Sequence, residues 1–241
     1  QLLNYQELTQ SQLDRGEQLL TLLRQNKVSK YNVGAPAHFT PPADGRPLVL
    51  VVGQVDGDAS ILTGSPTIRS NEQLLWAVRA AKPEAHILYK PHPDVVAGNR
   101  AGAISAACLA ECVDSQVLDI GLTSLYPHVD ELHTMTSLSG FEALVQGVKV
   151  TTWGQPFYSG WGLTTDAHPL AALVYLTLVA YPLYIDWQSG LWISPEQLIR
   201  QLATQGQSSG RKSSRWQRWQ VKLSYLVQTL LQRPSLPQLM R

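Results

Sequence analysis

Short apolar runs alternate with helical patterns through the first two-thirds of the chain. The runs at Leu48–Val52 and 85–89 are continuous, which is typical of strands buried on both faces of a parallel sheet. Residues 131–135 and 148–152 are further strand candidates. Residues 71–81 between the first two runs have helical periodicity. This alternation predicts an α/β fold with a Rossmann-like, doubly wound parallel sheet.

Helical patterns also flank this core. Residues 1–26 are amphipathic, and 103–113 form an alanine-rich helix candidate. The apolar stretch 168–185 predicts a buried helix, because the run 170–183 is shorter than the ~20 residues of a membrane span and contains Pro182. A last helix is predicted after Ser194, which would be its cap, with Pro195 in the first helical position.

Composition changes divide the chain into four predicted regions. They are a leading helix and linker at 1–47, a Rossmann-like domain at 48–166, a helical extension at 167–205 and a basic, Trp-containing tail at 206–241. The tail has no acidic residue, and basic side chains interleaved with tryptophan can lie on an anionic membrane surface. A solvated terminal helix explains the same pattern.

Polar side chains directly follow the first predicted strand. Gln54, Asp56 and Asp58 stand in the segment GQVDGDAS. In an open α/β sheet, residues just past the carboxyl end of a strand border the ligand crevice. The sequence therefore predicts a carboxylate pair at that crevice.

A histidine framed by two prolines follows the second predicted strand. Lys90, His92 and Arg100 lie within eleven residues of the chain. A lysine, a histidine and an arginine at the end of a strand suit a phosphate or a carboxylate. For His92 alone, a structural loop histidine is the competing interpretation.

The segment SLSGFEAL predicts a helix start that favours an anion. Ser139 and Glu142 have the spacing of a capping box, with Ser139 as N-cap and Gly140 at the first helical position, where a ligand could approach the backbone. A helix N-terminus offers N–H groups and partial positive charge. Ser137 adds a hydroxyl just before it. An ordinary capped helix is the alternative.

A loop of glycines and aromatics, GQPFYSGWG, follows the last predicted strand. Gln155, Tyr158 and Trp161 give it polar and flat apolar faces that could contact a sugar. Loops carry binding functions more often than cores do. An aromatic-rich turn without a ligand remains the other interpretation.

Net charge and cysteine content bear on nucleic-acid binding, disulfide bonds and zinc sites. The net charge of the 241 residues is +1, which removes bulk charge as an argument for nucleic acid. Cys108 and Cys112 stand four apart in a predicted helix, where a disulfide is geometrically poor, and they are too few for a structural zinc site. No signal peptide pattern is visible, and a chain that begins at Gln1 is interpreted as a fragment.

Three motifs occur together and in order: YKPHPDV, GFEAL and PFYSGWGLTTD. With them the chain resembles the KpsC-type capsule polysaccharide β-Kdo transferases, from SKYN at 29–32 to the helix after Pro195. The resemblance implies a GT-B-like scaffold of two Rossmann-like halves, of which this chain would be the nucleotide-binding half. The acceptor half would precede Gln1.

The resemblance also implies an activity. The implied activity is that of a retaining glycosyltransferase, which moves Kdo from CMP-β-Kdo to a lipid-linked oligo-Kdo acceptor in capsular polysaccharide synthesis and export. We expect no cofactor, no metal and no nucleic-acid partner. We expect a cytoplasmic protein, with peripheral contact to the inner membrane through the basic tail.

Roles follow for the individual residues. Asp58, the acid before Ala-Ser, is the first candidate for the nucleophile, and Asp56 is the second. The nucleotide would be bound by Lys90, His92, Ser137, Ser139, Gly140 and Glu142, although Glu142 could instead only hold the helix start. The sugar would be bound by Gln54, Arg100, Gln155, Tyr158 and Trp161.

Three alternatives stay open. The chain could be a GT-B-like epimerase that takes a UDP-sugar, or a non-catalytic scaffold of capsule export that binds polysaccharide or lipid. It could also bind nucleotide and yet be inactive alone, because the acceptor half is missing.

Overall fold

The computed structural model describes residues 8–26, 38–164, 168–186 and 189–208. The chain divides into two units, Gln1–Ala203 and Thr204–Arg241, and the sheet belongs to the first. SKYN at 29–32, Asp166 and the basic tail lie outside the described residues. The four regions inferred from composition therefore stay a prediction.

A five-stranded parallel sheet confirms the predicted α/β fold. Its strand order is β3-β2-β1-β4-β5. The strands are β1 (Leu48–Val52), β2 (His86–Lys90), β3 (Ser115–Gln116), β4 (Glu131–Thr134) and β5 (Lys149–Thr152). The order reverses direction between β1 and β4, and such a switch point is where doubly wound sheets bind ligands.

Nine helices surround the sheet among the described residues. They are α1 (Gln10–Asn26), α2 (Ala59–Gly64), α3 (Asn71–Ala81), α4 (Pro93–Val96), α5 (Ala106–Cys112), α6 (Leu122–Leu125), α7 (Leu138–Val145), α8 (Leu170–Tyr175) and α9 (Pro195–Ser208). Short 3₁₀ turns follow at Tyr126–His128 and Gly162–Thr164.

Both faces of the sheet are buried because successive strand residues point to opposite sides. Leu50 and Leu132 pack on one face in a core that includes residues of α1, α7 and α8. Val51 and Ile87 pack on the other face with residues of α3 and α5. All five residues of β1 are buried, which explains its continuous apolar sequence.

The region after β5 departs from the prediction. The expected apolar helix over 168–185 is α8 followed by a wider π-helical segment, Leu176–Ala180, in which Tyr181 N–H donates to the Leu176 carbonyl. Pro182 lacks a backbone donor and cannot continue the helix. An antiparallel hairpin follows, β6 (Tyr184–Ile185) and β7 (Trp192–Ile193), which the sequence analysis missed.

Other predicted elements hold. Ser70 caps α3 by accepting from Gln73 N–H at 3.2 Å, and Ser194 caps α9 by accepting from Gln197 N–H at 3.2 Å. Cys108 and Cys112 are free, buried thiols in α5. No helix among the described residues has both the length and the apolarity to cross a membrane.

A buried carboxylate, Glu131, ties together the N-terminal edge of the sheet. Lys82 Nζ lies 2.7 Å from its Oε2, Lys149 Nζ lies 3.7 Å from the same oxygen, and His133 Nε2 lies 3.2 Å from its Oε1. The Thr151 hydroxyl also donates to it. Burial alone would raise the pKa of Glu131, but the interactions with His133, Lys82 and Thr151 together hold that pKa well below its usual range.

Glu131→Gln should lower the free energy of unfolding by about 2–4 kcal/mol near pH 7, because Lys82 loses its buried counter-charge and the contact of His133 Nε2 with a carboxylate oxygen is lost. The folded pKa lies below the unfolded one, so the stabilisation is present above about pH 4.5 and is lost as pH falls through the folded pKa. Urea unfolding between about pH 7 and pH 3 should therefore show the difference shrinking. The exposed Glu84→Gln is the control, and a difference that does not change with pH would contradict this account.

Candidate functional site

A cleft of about 680 Å³ opens at the carboxyl ends of β1, β2 and β4. Its position is the switch point of the strand order, as predicted for the ligand crevice. The residues that line it come from five loops or helix starts: Gly53, Gln54, Val55, Asp58, Ser60, Lys90, His92, Pro93, Leu118, Asp119, Ile120, Gly121, Leu122, Thr136, Ser137, Leu138, Ser139, Glu142 and Phe157.

The floor of the cleft is fixed by Gln54, which joins the loop after β1 to the loop after β4. Its Oε1 accepts from Thr136 N–H at 2.8 Å, and its Nε2 donates to Thr136 Oγ1 at 3.1 Å. On the other side, the Asn71 side chain accepts from Gln54 N–H at 2.9 Å and donates to the Gln54 carbonyl at 2.8 Å. Gln54 is buried, so its side chain acts first as a structural bridge.

The two candidate carboxylates occupy different environments. Asp58 is exposed and lines the cleft, where its Oδ1 accepts from Ser60 N–H at 3.1 Å as the N-cap of α2. Asp56 does not line the cleft, and its Oδ1 is buried without a hydrogen-bond partner among the described residues. Burial raises the pKa of Asp56, opposed by a hydrogen bond from the Asn71 backbone. Of the two, only Asp58 is placed to meet a ligand in the cleft.

Lys90 reaches the cleft from the end of β2. It is 8% exposed, and its Nζ donates to the Leu118 carbonyl at 3.2 Å. Burial lowers the pKa of Lys90, while the charge of Asp119 acts in the opposite direction. A half-desolvated ammonium of this kind attracts an anion more strongly than a surface lysine does.

His92 lines the cleft beside Lys90 and is the N-cap of α4. Its Nδ1 accepts from Asp94 N–H at 3.1 Å, which places the proton of the neutral ring on Nε2. The cap thereby orients an N–H donor. This local role was not visible in the sequence.

The start of α7 corrects the predicted capping box. Ser137, not Ser139, is the N-cap: its Oγ accepts from Ser139 N–H at 3.2 Å and donates to Ser139 Oγ at 3.1 Å. The helix therefore begins two residues earlier than predicted, because Ser137 already supplies the capping oxygen. Glu142 lies one turn further in and lines the cleft, where its carboxylate approaches the Tyr126 hydroxyl.

Gly140 and Tyr158, predicted to bind the nucleotide and the sugar, do not line the cleft. Tyr158 is fully buried, and its hydroxyl donates to the Ser137 carbonyl. A Cβ on Gly140 would lie 2.2 Å from that hydroxyl oxygen. The glycine therefore makes room for a tyrosine rather than for a ligand, and Tyr158 holds the loop against the start of α7.

Trp161, Gln155 and Arg100 also lie outside the cleft lining. Trp161 is 6% exposed and packs against His168 with ring centroids 4.7 Å apart, so it offers no free face to a sugar. Gln155 and Arg100 are exposed and do not border the cleft. The aromatic that does is Phe157, which is 43% exposed and stands edge-on to Tyr158.

One wall of the cleft was missed from the sequence. Residues 118–122 contribute three apolar side chains (Leu118, Ile120 and Leu122) and the carboxylate of Asp119. The sequence analysis gave these residues no role, and in the structure they follow β3, which ends at Gln116. The position of residues 118–122 just after a strand was the signal that could have identified them as part of the cleft.

Comparison with known proteins gives a consistent result. Residues 40–174 match the family described as capsule polysaccharide biosynthesis protein. The capsule polysaccharide modification protein LipA of Neisseria meningitidis serogroup B is 44% identical over 205 residues, covering 80% of this chain and 29% of LipA. The lipopolysaccharide-processing protein LpsZ of Rhizobium meliloti is 38% identical, covering 79% of this chain and 46% of LpsZ.

Two solved structures of Thermosulfurimonas dismutans KpsC have the same fold. The β-Kdo 2,7 transferase matches with a TM-score of 0.68 and 36% identity, over 82% of this chain and 64% of that one. The β-Kdo 2,4 transferase matches with a TM-score of 0.71 and 29% identity, over 84% and 66%. The chain thus spans less than half of each of the two curated relatives named above and about two-thirds of the KpsC structures.

Gly140→Ala should lower the free energy of unfolding by about 1–3 kcal/mol, because the new methyl group cannot fit beside Tyr158. Gly121→Ala is the control: Gly121 borders the same cleft, has φ −66°, and its Cβ would meet nothing nearer than 3.9 Å. Chemical unfolding of both variants checks the comparison. Equal stability of the two variants would show that Tyr158 does not pack on Gly140 as described.

Proposed function

Because this chain belongs to the capsule polysaccharide biosynthesis protein family, we propose that it is the nucleotide-binding half of a retaining glycosyltransferase that transfers Kdo from CMP-β-Kdo to a lipid-linked oligo-Kdo acceptor. The observation that carries the proposal is a switch-point cleft that brings together a helix N-terminus, a lysine and an oriented histidine. Kdo is proposed as the transferred sugar because the two similar KpsC structures are named Kdo transferases. A GT-B-like arrangement with a preceding acceptor half completes the proposal.

The leaving group is a nucleotide phosphate, and the cleft is suited to its charge. Negative charge develops on the CMP phosphate as its bond to the anomeric carbon breaks. Lys90 Nζ, His92 Nε2–H and the Ser139 hydroxyl line the same cleft as donors, and the Ser137 hydroxyl, which donates to Ser139 Oγ, orients the Ser139 hydroxyl. The partial positive charge at the N-terminus of α7 adds to them.

Two successive inversions at the anomeric carbon give retention, and in this proposal Asp58 performs the first. Its carboxylate attacks the anomeric carbon, the bond to the phosphate oxygen breaks, and CMP leaves with the electron pair. An acceptor hydroxyl then attacks the glycosyl ester, loses its proton to a base, and restores the Asp58 carboxylate. The hydrogen bond from Ser60 N–H to Asp58 Oδ1 keeps this carboxylate at the N-terminus of α2 during both steps.

The remainder of the nucleotide finds surfaces in the same cleft. Glu142 can accept from the ribose hydroxyls, and the apolar wall at 118–122 offers a surface for the base. Phe157 takes the place that the sequence analysis gave to Tyr158 and Trp161 beside the sugar. Gln54 contributes by fixing the floor rather than by contacting the donor.

Asp58→Asn should abolish transfer while leaving the fold and CMP binding intact. Asparagine retains an oxygen that can cap α2, so the substitution removes the nucleophile without removing the cap. The test uses a longer form of the protein that transfers Kdo, with Asp56→Asn as the matched control and mass spectrometry to detect a glycosyl adduct on the wild type. Transfer at the wild-type rate by Asp58→Asn would refute the nucleophile assignment.

Lys90→Met and His92→Asn should each weaken CMP binding by about 10- to 100-fold, the usual value of a charge-assisted or well-oriented hydrogen bond to phosphate. Methionine keeps the buried stem of Lys90, and asparagine can still cap α4. Calorimetric titration of this chain with CMP measures the effect, with Arg100→Gln as a control that leaves affinity unchanged and UDP as a second ligand.

The titration also separates the alternatives. A preference for UDP would favour the epimerase. Loss of binding in Arg100→Gln but not in Lys90→Met would place the anion outside the cleft. No binding of either nucleotide, in this chain and in a longer form alike, would favour the non-catalytic scaffold.

A further inference from the structure

The hairpin β6–β7 has an apolar face turned outward. Ile185 and Trp192 are cross-strand partners and are 58% and 67% exposed. Leu183, two residues before Ile185 and therefore on the same face, is 73% exposed. Tyr184 and Ile193 form the opposite pair and are only half-exposed.

Two neighbouring side chains are also exposed, Tyr181 at 77% and Leu191 at 66%, and by strand alternation Leu191 lies on the side of Ile193, opposite to Trp192. A hairpin at the surface of a soluble protein usually turns its polar side chains to water and its apolar ones inward. Here both sides are apolar. Several large exposed apolar side chains on one short hairpin mark a contact with another molecule.

The chemistry of the patch is that of a membrane interface. Between 168 and 193 the sequence contains one acidic residue, Asp186, and no lysine or arginine. The outward side chains are aliphatic with one tryptophan and one tyrosine, residues that concentrate at the level of lipid headgroups. A polysaccharide site would instead combine an aromatic face with several hydrogen-bonding side chains.

Charge in the following sequence favours an anionic bilayer over a neutral one. Residues 206–241 contain seven basic residues and no acidic one: Arg211, Lys212, Arg215, Arg218, Lys222, Arg233 and Arg241. Basic residues near an anionic surface are attracted to it electrostatically. A weakly bound apolar face becomes a stable anchor when a second, electrostatic signal accompanies it.

We propose that the exposed apolar side chains of the hairpin β6–β7, which are Leu183, Ile185, Leu191 and Trp192, with Tyr181 before it, form a docking surface that inserts into the headgroup region of an anionic membrane. The inference rests on the proposed function, since a lipid-linked acceptor is reached from such a surface. It adds the part of the fold that makes the contact and the chemistry of its partner.

Sedimentation with vesicles tests the surface directly. The full chain is mixed with vesicles of phosphatidylcholine containing about one quarter phosphatidylglycerol, at low salt and at about 0.5 M NaCl, where electrostatic attraction is screened. Ile185→Ser/Trp192→Ser should lower the partition coefficient at least about tenfold, and part of the wild-type binding should survive high salt. Leu62→Ser/Trp76→Ser, which changes an exposed leucine and tryptophan elsewhere, is the matched control.

Brominated lipids give a second readout that does not depend on affinity. They quench tryptophan fluorescence at the depth of the bromine, so Trp192→Phe should reduce quenching while Trp76→Phe should not. Equal partition of the two serine double variants, or unchanged quenching in Trp192→Phe, would overturn the proposal. So would complete loss of wild-type binding at high salt, or self-association in sedimentation equilibrium that only the hairpin variant abolishes.

CMP titration of the same preparations keeps the two proposals separable. Ile185 and Trp192 are outside the cleft lining, so the hairpin variant should bind CMP as the wild type does. Vesicle binding that fails while CMP binding persists refutes the docking surface alone. CMP binding that fails while vesicle binding persists refutes the nucleotide site alone.

Discussion

The cleft depends on one buried amide, the side chain of Gln54. At the switch point of a doubly wound sheet, the connections from the two neighbouring strands run in opposite directions. The loops after β1 and β4 therefore diverge and leave a gap. Gln54 spans that gap by exchanging hydrogen bonds with Thr136, while Asn71 holds the Gln54 backbone from the other side. These bonds are buried, where an unpaired partner would be costly, and they therefore fix the separation of the two loops.

The chemistry of the site follows from that separation. Asp58 ends the loop after β1, and the N-terminus of α7 follows the loop after β4, so that a ligand in the cleft meets a carboxylate on one side and positive partial charge on the other. Caps recur around the cleft: Asp58, His92 and Ser137 each begin a helix. Because these side chains also cap helices, hydrogen bonds to the local backbone limit their motion. Their remaining atoms face the cleft, where a ligand would bind.

Most of the sheet could be predicted, and much of the site could not, for physical reasons. β1 is a continuous apolar run, the pattern of a strand that is buried on both faces of a parallel sheet. Asp58, Lys90 and His92 stand at or just after the carboxyl ends of strands, and the topology of a parallel sheet places such residues at the cleft. Side-chain direction does not follow from sequence. Tyr158 and Trp161 stand in an exposed-looking glycine-rich loop, yet packing against α7 and His168 buries them and leaves Phe157 at the cleft. The predicted cap was wrong because two serines two residues apart can each begin the helix, and Ser137 supplies the capping oxygen.

A crystal structure of this chain with CMP would test the central claim most directly. The account predicts that the phosphate lies at the switch-point cleft, within hydrogen-bonding distance of Lys90 Nζ or His92 Nε2 and in front of the N-terminus of α7, with Glu142 facing the ribose. A phosphate bound away from these groups, with the cleft occupied only by solvent, would contradict it.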